Sequence, residues 1–266
     1  MNEIVTFGQG YSLTKGIQVF VKSAKHVPNC TTTVIGIDLS DEVVQFLTNE
    51  GVNVVDGSEI AAKYNVNLNI SPYTLKVVFF RLYCKHYTTS EKIYFCDFTD
   101  VYFNGNSNIF DVVIENNIAY VSSERQIVKN CQTNTTWLNI CYNADITNLL
   151  KEKQILNGGA ILGYRECCLA LLDEMCRDMA LIIGRVGNYQ NIDQASLNKC
   201  VHFNYYNYVI LNDNEILNCA HQSALVSDFT HNSDNCYKFG NCLPYVIHQY
   251  DVDKSLEKNL YETFCC

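Results

Sequence analysis

Two carboxylates, Asp97 and Asp100, stand three residues apart at the end of an apolar run. The run IYFC that precedes them has the composition of a buried strand. A bare carboxylate at a strand's end is costly to bury unless it is paired, hydrogen-bonded or bound to a cation. Aspartate also favours turns, because its side chain bonds nearby backbone N–H groups. The pair therefore predicts either a cation site at the carboxyl edge of a sheet, where open α/β folds bind ligands, or an aspartate-rich turn.

Three further segments carry groups that a ligand site can use. Arg81 stands in an otherwise apolar helical pattern, where an arginine either reaches out to solvent or binds a phosphate or carboxylate. Gly158 and Gly159 follow Asn157 in a strand-like segment, which is typical of a close backbone approach to a ligand and equally of a turn. His248, in the segment YVIHQYD, is either a satisfied core residue or a ligand, and its polar neighbours favour the ligand.

The segments that must position these residues alternate between strand-like and helix-like patterns up to Asp97. Predicted strands cover 3–7, 31–39, 52–56 and 92–97. Predicted helices cover 12–27, 40–51 and 71–87, with Ser12, Ser40 and Ser71 as N-caps and Pro72 at a first helical position. This alternation predicts an α/β fold with a mixed, mostly parallel central sheet flanked by helices.

The pattern is looser after Asp100. Short strands are predicted at 111–115, 118–122 and 156–163, and helices at 166–183, from Asp193 and from Val252. No linker, repeat or low-complexity tract divides the chain. We therefore predict a single Rossmann-like domain over 1–266, with a nucleotide-binding half (1–103) and a more irregular half (104–266) that ends with the His248 segment.

Composition and charge exclude several classes of protein. The chain has 266 residues and a formal net charge of −9, without the basic stripe of a nucleic-acid binder, so no nucleic-acid partner is expected. The longest apolar candidate, 169–183, is interrupted by four charged residues and is too short to span a bilayer. Because no basic-then-apolar leader opens the sequence, we expect a cytoplasmic protein without an integral membrane segment.

The fourteen cysteines show no CxxC spacing for zinc, and two pairs are adjacent in the chain. Disulfide scaffolds are usually short and secreted, whereas this chain is long. We therefore expect mostly reduced, buried thiols.

Taken together, these motifs resemble the nucleotide-sugar glycosyltransferases of the GT-A fold, in the layout of family 8. Those enzymes carry an arginine-bearing helix before a strand that ends in a D-x-D carboxylate motif, and this chain has FFRLYCKHYTTSEKIYFCDFTD. The family's asparagine–glycine strand corresponds to NGGAILG, its DQ segment to DQASLN and its late histidine to HQYD. The resemblance extends to about Asp251 and rests on the order and spacing of the motifs.

The resemblance implies a divalent metal, Mn²⁺ or Mg²⁺, held by Asp97, Asp100 and His248. The chain departs from the family here, because two residues rather than one separate its carboxylates. In one assignment Asp100 binds the metal directly, and Asp97 holds the ribose or a metal-bound water. In the other, Asp97 binds the metal and Asp100 is structural.

The resemblance also implies a nucleotide-diphosphate sugar, a UDP-sugar by the family's pattern, as the donor. Thr6, Phe7 and Gly8, at the exit of the first strand, stand where such folds receive the base, and Arg81 belongs to the same nucleotide site. Tyr11 either stacks on the base or bonds the ribose, or is an ordinary half-buried tyrosine.

On the acceptor side, in the half 104–266, the family's motifs correspond to Asn157, Asp193 and Gln194. These residues are expected to line the sugar and acceptor pocket, although Asp193 can also be read as a helix cap. The implied activity is hexosyl transfer, with retention of configuration, to a hydroxyl of a glycan, protein or small molecule. The alternatives are an inactive nucleotide-sugar-binding protein of the same fold and a nucleotidyltransferase, whose usual basic phosphate loop is absent from TFGQGYSLTKG.

Overall fold

Strands and helices alternate along the first hundred residues, as the sequence pattern predicts. The computed structural model describes residues 1–105, 107–113, 115–203, 207–219, 229–231 and 236–265. The strands are β1 (Asn2–Gln9), β2 (Cys30–Ile37), β3 (Asn53–Asp56), β4 (Lys92–Cys96), β5 (Val101–Phe103), β6 (Ala119–Ile127), β7 (Gln154–Tyr164), β8 (Tyr208–Leu211), β9 (Ile216–Asn218), β10 (Phe229–His231), β11 (Tyr237–Phe239) and β12 (Val246–His248). The helices are α1 (Lys15–Ala24), α2 (Asp41–Asn49), α3 (Gly57–Tyr64), α4 (Pro72–His86), α5 (Gln132–Cys141), α6 (Ala144–Leu150), α7 (Arg165–Val186), α8 (Ile192–His202) and α9 (Lys254–Cys265).

Seven strands of the described chain form the central sheet, in the order β3–β2–β1–β4–β7–β6–β8. β1 pairs in parallel with β2 and β4, and β2 pairs in parallel with β3. β7 runs antiparallel to β4 and β6, and β8 is parallel to β6. The mixed, mostly parallel sheet that the sequence predicts is confirmed. Because β7 lies beside β4, its residue Gly159 meets the carboxyl end of β4, where the Asp97 N–H donates to the Gly159 carbonyl at 3.2 Å.

A second, small sheet brings the late part of the chain to the same edge. Its three strands are β5, β12 and β9, with β12 in the middle. His248 is paired with Val101 on β5, directly after Asp100, and with Asn218 on β9. This pairing places a histidine from near the end of the chain beside the carboxylates that follow β4.

Apolar side chains cover the central sheet on both faces. On β1, Ile4 belongs to a buried cluster with residues of α1 and α2, whereas the next residue, Val5, belongs to a cluster with residues of α4 and α7. Adjacent strand residues point to opposite faces, so a sheet that is buried on both sides requires a continuous apolar run. The burial of both faces explains why the predicted strands of the sequence are continuous apolar runs.

The N-terminal caps of three helices can be compared with the caps predicted from the sequence. The Ser40 hydroxyl accepts the Val43 N–H at 3.3 Å and caps α2 as expected. The cap of α1 is Thr14 rather than Ser12, since the Thr14 hydroxyl accepts the Ile17 N–H. Pro72 occupies the first turn of α4, but Ser71 caps that helix without a side-chain hydrogen bond.

The prediction of a strand at 111–115 is wrong for the residues of this range that the structure describes. A 3₁₀ turn, Ile109–Val112, stands there instead, and Ile114 lies outside the described residues. The Asn108 carboxamide accepts the Phe110 N–H at 3.2 Å and donates to Asp111 at 2.8 Å. Such local side-chain bonds compete with strand pairing, which the apolar composition alone did not reveal.

Two further observations concern all the residues that the structure describes. None of the helices in the described ranges combines the length and apolar character needed to cross a bilayer. Thirteen cysteines of the described residues carry free thiols; seven of them are buried, and the other six are partly exposed.

Candidate active site

The loop between Asp97 and Asp100 is anchored by the core. Phe98 is 3% exposed and packs edge-on against Phe20 of α1, with 5.6 Å between ring centroids. This burial fixes the two residues that separate the carboxylates. Both carboxylates lie beside His248, whose Nε2 is 3.3 Å from Asp97 Oδ2 and 3.7 Å from Asp100 Oδ2.

His248 is fully buried and its ring is oriented by Asn218. The His248 Nδ1 lies 2.7 Å from the Oδ1 of Asn218, and the Asn218 amide donates to the Ser123 carbonyl at 2.8 Å. Because Asn218 uses its amide for that carbonyl, its Oδ1 is left to accept, and Nδ1 carries the proton. A neutral imidazole then presents the lone pair of Nε2 to the carboxylate side, which is the arrangement of metal-binding histidines with a second partner.

Burial and neighbouring charges shift the pKa values of Asp97, Asp100 and His248 in different directions. Burial works to raise the pKa of Asp97, but Lys76 and His248 outweigh burial and hold that pKa far below its usual range. Burial raises the pKa of Asp100 to about 6, against the attraction of His248. Burial lowers the pKa of His248, but the two carboxylates more than reverse this and leave it raised. A cation at this point would relieve the cost of holding two carboxylates together.

The Asp97, Asp100 and His248 side chains fit a divalent cation. One ligand atom from each lies within 4.8 Å of the others. Asp100 Oδ1 is buried and has no hydrogen-bond partner within the described part of the chain, so one oxygen is left for a ligand. Gly159 keeps the space open, since a Cβ there would come within 2.2 Å of Asp97 Oδ2 and 2.5 Å of His248 Cε1. Oxygen ligands with one imidazole suit Mn²⁺ better than Mg²⁺, which prefers oxygen ligands alone.

Replacing Gly159 by alanine is therefore expected to displace Asp97 and His248 and to destabilise the protein by about 1–3 kcal/mol, the usual range for overpacking. The matched control is Gly184→Ala in α7, where an added Cβ meets nothing within 4 Å. That change should raise stability by about 0.5–1 kcal/mol through helix propensity. Urea unfolding of both variants checks the pair, and equal stabilities would contradict the close approach at Gly159.

Lys76 is a site residue that the sequence analysis missed. It lies in α4, is 6% exposed, and places its Nζ 2.7 Å from Asp97 Oδ1 and 3.4 Å from Asp193 Oδ2. Burial lowers the pKa of Lys76, but the two carboxylates outweigh burial and raise it. The available signal was a lysine inside the apolar run LKVVFF, since a lysine is almost never fully buried unless it is paired.

Arg81 lies on the same helix but is not brought to the carboxylate cluster. Its Nε donates to Asp173 of α7, and its side chain is 31% exposed. Its role in nucleotide binding stays a prediction, whereas Lys76, five residues earlier, supplies the cation that faces Asp97.

The Asn157–Gly158–Gly159 segment lies inside β7 and is not a turn. Asn157 is 2% exposed, and its Oδ1 accepts the Gly159 N–H at 2.8 Å. Gln194 Oε1 accepts the Gly158 N–H at 3.3 Å. A Cβ on Gly158 would stand 3.2 Å from Asp193 Oδ2, so the strand and the start of α8 approach closely. Asp193 lies within the first turn of α8, whose N-cap position is Asn191, and so it is not the cap.

Two cavities meet at this edge of the sheet. Their linings share Tyr73, Lys76 and Asp97. The first cavity, of about 440 Å³, has the further lining residues Phe7, Gln9, Gly10, Tyr11, Pro72, Phe98, Thr99, Asp100 and Gln190. The second, of about 450 Å³, has the further lining residues Glu124, Thr133, Trp137, Asn157, Gly158, Gly159, Asn191, Asp193, Gln194, Gln249 and Val252. The residues predicted for the acceptor side thus lie together in the second cavity.

The residues predicted to receive the base divide between the first cavity and the core. Phe7 and Tyr11 line the cavity, and burial followed by the two nearby carboxylates raises the pKa of Tyr11. Thr6 is fully buried in β1, and Gly8 packs against Phe98, where an added Cβ would stand 2.9 Å from the ring. Thr6 and Gly8 therefore support the cavity from behind rather than line it.

No protein-family model matches the chain, and no curated protein matches it either. Solved structures do. A structure of an active-site mutant of LgtC, in which a glutamine is replaced by glutamate, is 14% identical, covers 99% of this chain and 96% of its own, and has a TM-score of 0.57. A structure of the galactosyltransferase LgtC with donor and acceptor sugar analogues is 15% identical, has the same coverage and a TM-score of 0.55. At such identities the likeness establishes the fold, and it confirms the GT-A resemblance expected from the sequence.

Proposed function

We propose that this chain, whose fold is that of a GT-A glycosyltransferase, is a metal-dependent enzyme that transfers a sugar from a nucleotide-diphosphate donor to a hydroxyl acceptor. The observation that carries the proposal is that Asp97 and Lys76 line both cavities, and that Asp97 forms one cluster with Asp100 and His248. A transferase needs such a junction, because the bond between leaving group and sugar must lie between a donor site and an acceptor site.

The first cavity is assigned to the nucleotide. It lies at the carboxyl ends of parallel strands, where open α/β sheets bind their ligands. Tyr11 offers an aromatic face for the base, and a UDP-sugar is the proposed donor because the family resemblance implies it. The diphosphate would reach from this cavity to Asp97 and Asp100, which would hold Mn²⁺ or Mg²⁺ together with His248. The cation, when bound, neutralises the charge that develops on the diphosphate leaving group as the sugar–oxygen bond breaks.

The chain's own residues position the sugar at the shared wall of the two cavities. Lys76 bonds Asp97 on the metal side and approaches Asp193 on the acceptor side, so it fixes the distance between the two halves of the site. Asn157 and Gln194 present amides to the second cavity. The family's DQ segment, which corresponds to Asp193 and Gln194 in this chain, supports a role for Gln194 beside the donor sugar. Gln194 would orient the donor and stabilise positive charge at the sugar, in a transfer that retains configuration.

Release of nucleoside diphosphate from nucleotide sugars tests this proposal against its alternatives. The protein should slowly release UDP from its donor with Mn²⁺ and lose this activity in EDTA. A protein that binds the donor without release would be an inactive binding protein of the same fold. Production of pyrophosphate from a nucleoside triphosphate and a sugar phosphate would instead indicate a nucleotidyltransferase.

Metal affinity should depend on pH through Asp100 and His248. The pKa of Asp100 is raised to about 6, and that of His248 is also raised. Both groups therefore take up protons as the pH falls from 7.5 to 5.5. A bound proton excludes the cation from the same atom, so Mn²⁺ affinity should fall by up to about tenfold per pH unit for each proton displaced. Titration of Mn²⁺ by electron paramagnetic resonance at pH 7.5, 6.5 and 5.5 measures this. An affinity that does not change over this range would contradict the Asp100 and His248 ligands.

A further inference from the structure

Glu124 is a buried carboxylate of the second cavity for which the sequence analysis assigned no role. It lies on β6 and is 2% exposed. Its Oε1 accepts hydrogen bonds from two of the proposed site amides, Asn157 Nδ2 at 3.2 Å and Gln194 Nε2 at 3.1 Å. One carboxylate oxygen therefore contacts two side chains that come from different elements, β7 and α8.

These contacts decide which way each amide points. The oxygen and nitrogen of a carboxamide have nearly the same shape, so hydrogen-bond partners determine its orientation. A carboxylate accepts and cannot donate, so Asn157 and Gln194 must both turn their NH₂ groups toward Glu124. Gln194 Nε2 also donates to Asn134 Oδ1 at 2.9 Å, which favours the same orientation.

The opposite ends of the two amides then meet the backbone of β7. Asn157 Oδ1 accepts the Gly159 N–H at 2.8 Å, and Gln194 Oε1 accepts the Gly158 N–H at 3.3 Å. Consecutive glycine N–H groups are thus held by two carbonyl oxygens whose direction depends on Glu124. Gly159 is the residue that lies against Asp97 and His248.

We propose that Glu124 is a positioning residue: it fixes the orientation of the Gln194 and Asn157 amides and thereby holds the Gly158–Gly159 segment beneath the donor sugar. The role of these amides toward the sugar rests on the proposed function. The hydrogen-bond arrangement itself does not, so two kinds of measurement can separate the two claims.

The first test is Glu124→Gln, which keeps the shape of the side chain but can present NH₂ or oxygen to either amide. With UDP-sugar and Mn²⁺, kcat should fall roughly 10- to 100-fold, the range for loss of a supporting partner at a site. The KM for the nucleotide sugar should change less than about twofold, because the nucleotide is held in the other cavity. Glu152→Gln, which removes an exposed carboxylate paired with Lys129, is the matched control and should leave kcat unchanged.

The second test measures backbone hydrogen exchange at Gly158 and Gly159, and it needs no substrate. In Glu124→Gln, exchange at these amides should accelerate by about tenfold, as expected for loss of an ordered hydrogen bond. The double variant Glu124→Gln, Gln194→Glu reverses the hydrogen bond between the two side chains, so that the amide at position 124 donates to the carboxylate at position 194. The other oxygen of that carboxylate can again accept the Gly158 N–H. Slow exchange at Gly158 should return in that double variant.

Unchanged exchange and unchanged kcat in Glu124→Gln would overturn the positioning role. If the wild-type protein releases no UDP from any nucleotide sugar, the proposed function fails, and the exchange measurement still decides whether Glu124 orients the two amides. Faster exchange that is restored in the double variant supports the role whichever way the activity test turns out.

Discussion

Replacing Asp100 by asparagine is expected to abolish metal-dependent nucleotide binding while leaving the protein as stable as before, or more so. The variant keeps the shape of the side chain but removes an anionic ligand next to Asp97 and His248. Mn²⁺-dependent UDP affinity should fall by about 100-fold or more, and transfer should fall by at least as much, since the charge on the leaving group is no longer neutralised.

The stability expectation follows from the sign of the pKa shift. The pKa of Asp100 rises from 3.8 to about 6 on folding, so its protonated form is favoured in the folded state. The ionised carboxylate therefore destabilises the metal-free protein once the pH rises above this range, by an amount on the order of 1–3 kcal/mol. Asparagine is neutral at every pH and removes that cost at pH 7.5.

Asp251→Asn is the matched control, because Asp251 adds like charge near Asp100 but supplies no ligand atom of the cluster. Its UDP affinity should stay within a few-fold of the wild type. Thermal unfolding and UDP titration of both variants measure the effects. If Asp100→Asn unfolds the protein and Mn²⁺ dependence is kept in what remains folded, Asp100 is a structural turn residue and Asp97 is the direct metal ligand.

Replacing Lys76 by methionine is expected to have the largest effect on stability. The change keeps an apolar stem but leaves Asp97 and Asp193 close together without their cation. Breaking a buried ion pair by removing one partner typically costs about 3–5 kcal/mol. Turnover should also be lost, because Lys76 joins the metal side of the site to the acceptor side.

Arg81→Met, on the same helix, is the control for Lys76→Met. Arg81 pairs with Asp173 at a partly exposed position, where an ion pair contributes about 0–1 kcal/mol. Urea unfolding should therefore separate the two variants clearly. A Lys76→Met protein as stable as Arg81→Met would contradict the buried pairing of Lys76, and a loss of UDP affinity in Arg81→Met would support the nucleotide role read from the sequence.

The sequence predicted best what short-range patterns determine. Continuous apolar runs predicted the strands β1 to β4. Ser40 as a cap and Pro72 at a first helical position predicted the starts of α2 and α4. The short helix α3 was missed, because its eight residues include only one large buried apolar side chain, Ile60.

Side-chain pairing across the fold was harder to predict. Arg81 was named because the family carries an arginine in this helix, and Lys76 was missed because the packing of α4 decides which cation of the helix faces Asp97. Glu124 was missed since its partners, Asn157 and Gln194, come from distant parts of the chain. His248 was singled out by its polar neighbours and by the order of the family's motifs, although the strand that carries it is only three residues long.

Calorimetric titration of the protein with UDP, in Mn²⁺ and again in EDTA, tests the central claim most directly. We expect measurable binding in Mn²⁺ that is lost in EDTA, because the net charge of −9 and the carboxylates of the site repel a diphosphate without a cation between them. Mg²⁺ should restore part of the binding after the chelator is removed. Equal affinity in Mn²⁺ and in EDTA, or no binding in either, would contradict a metal-dependent nucleotide-sugar site at Asp97, Asp100 and His248.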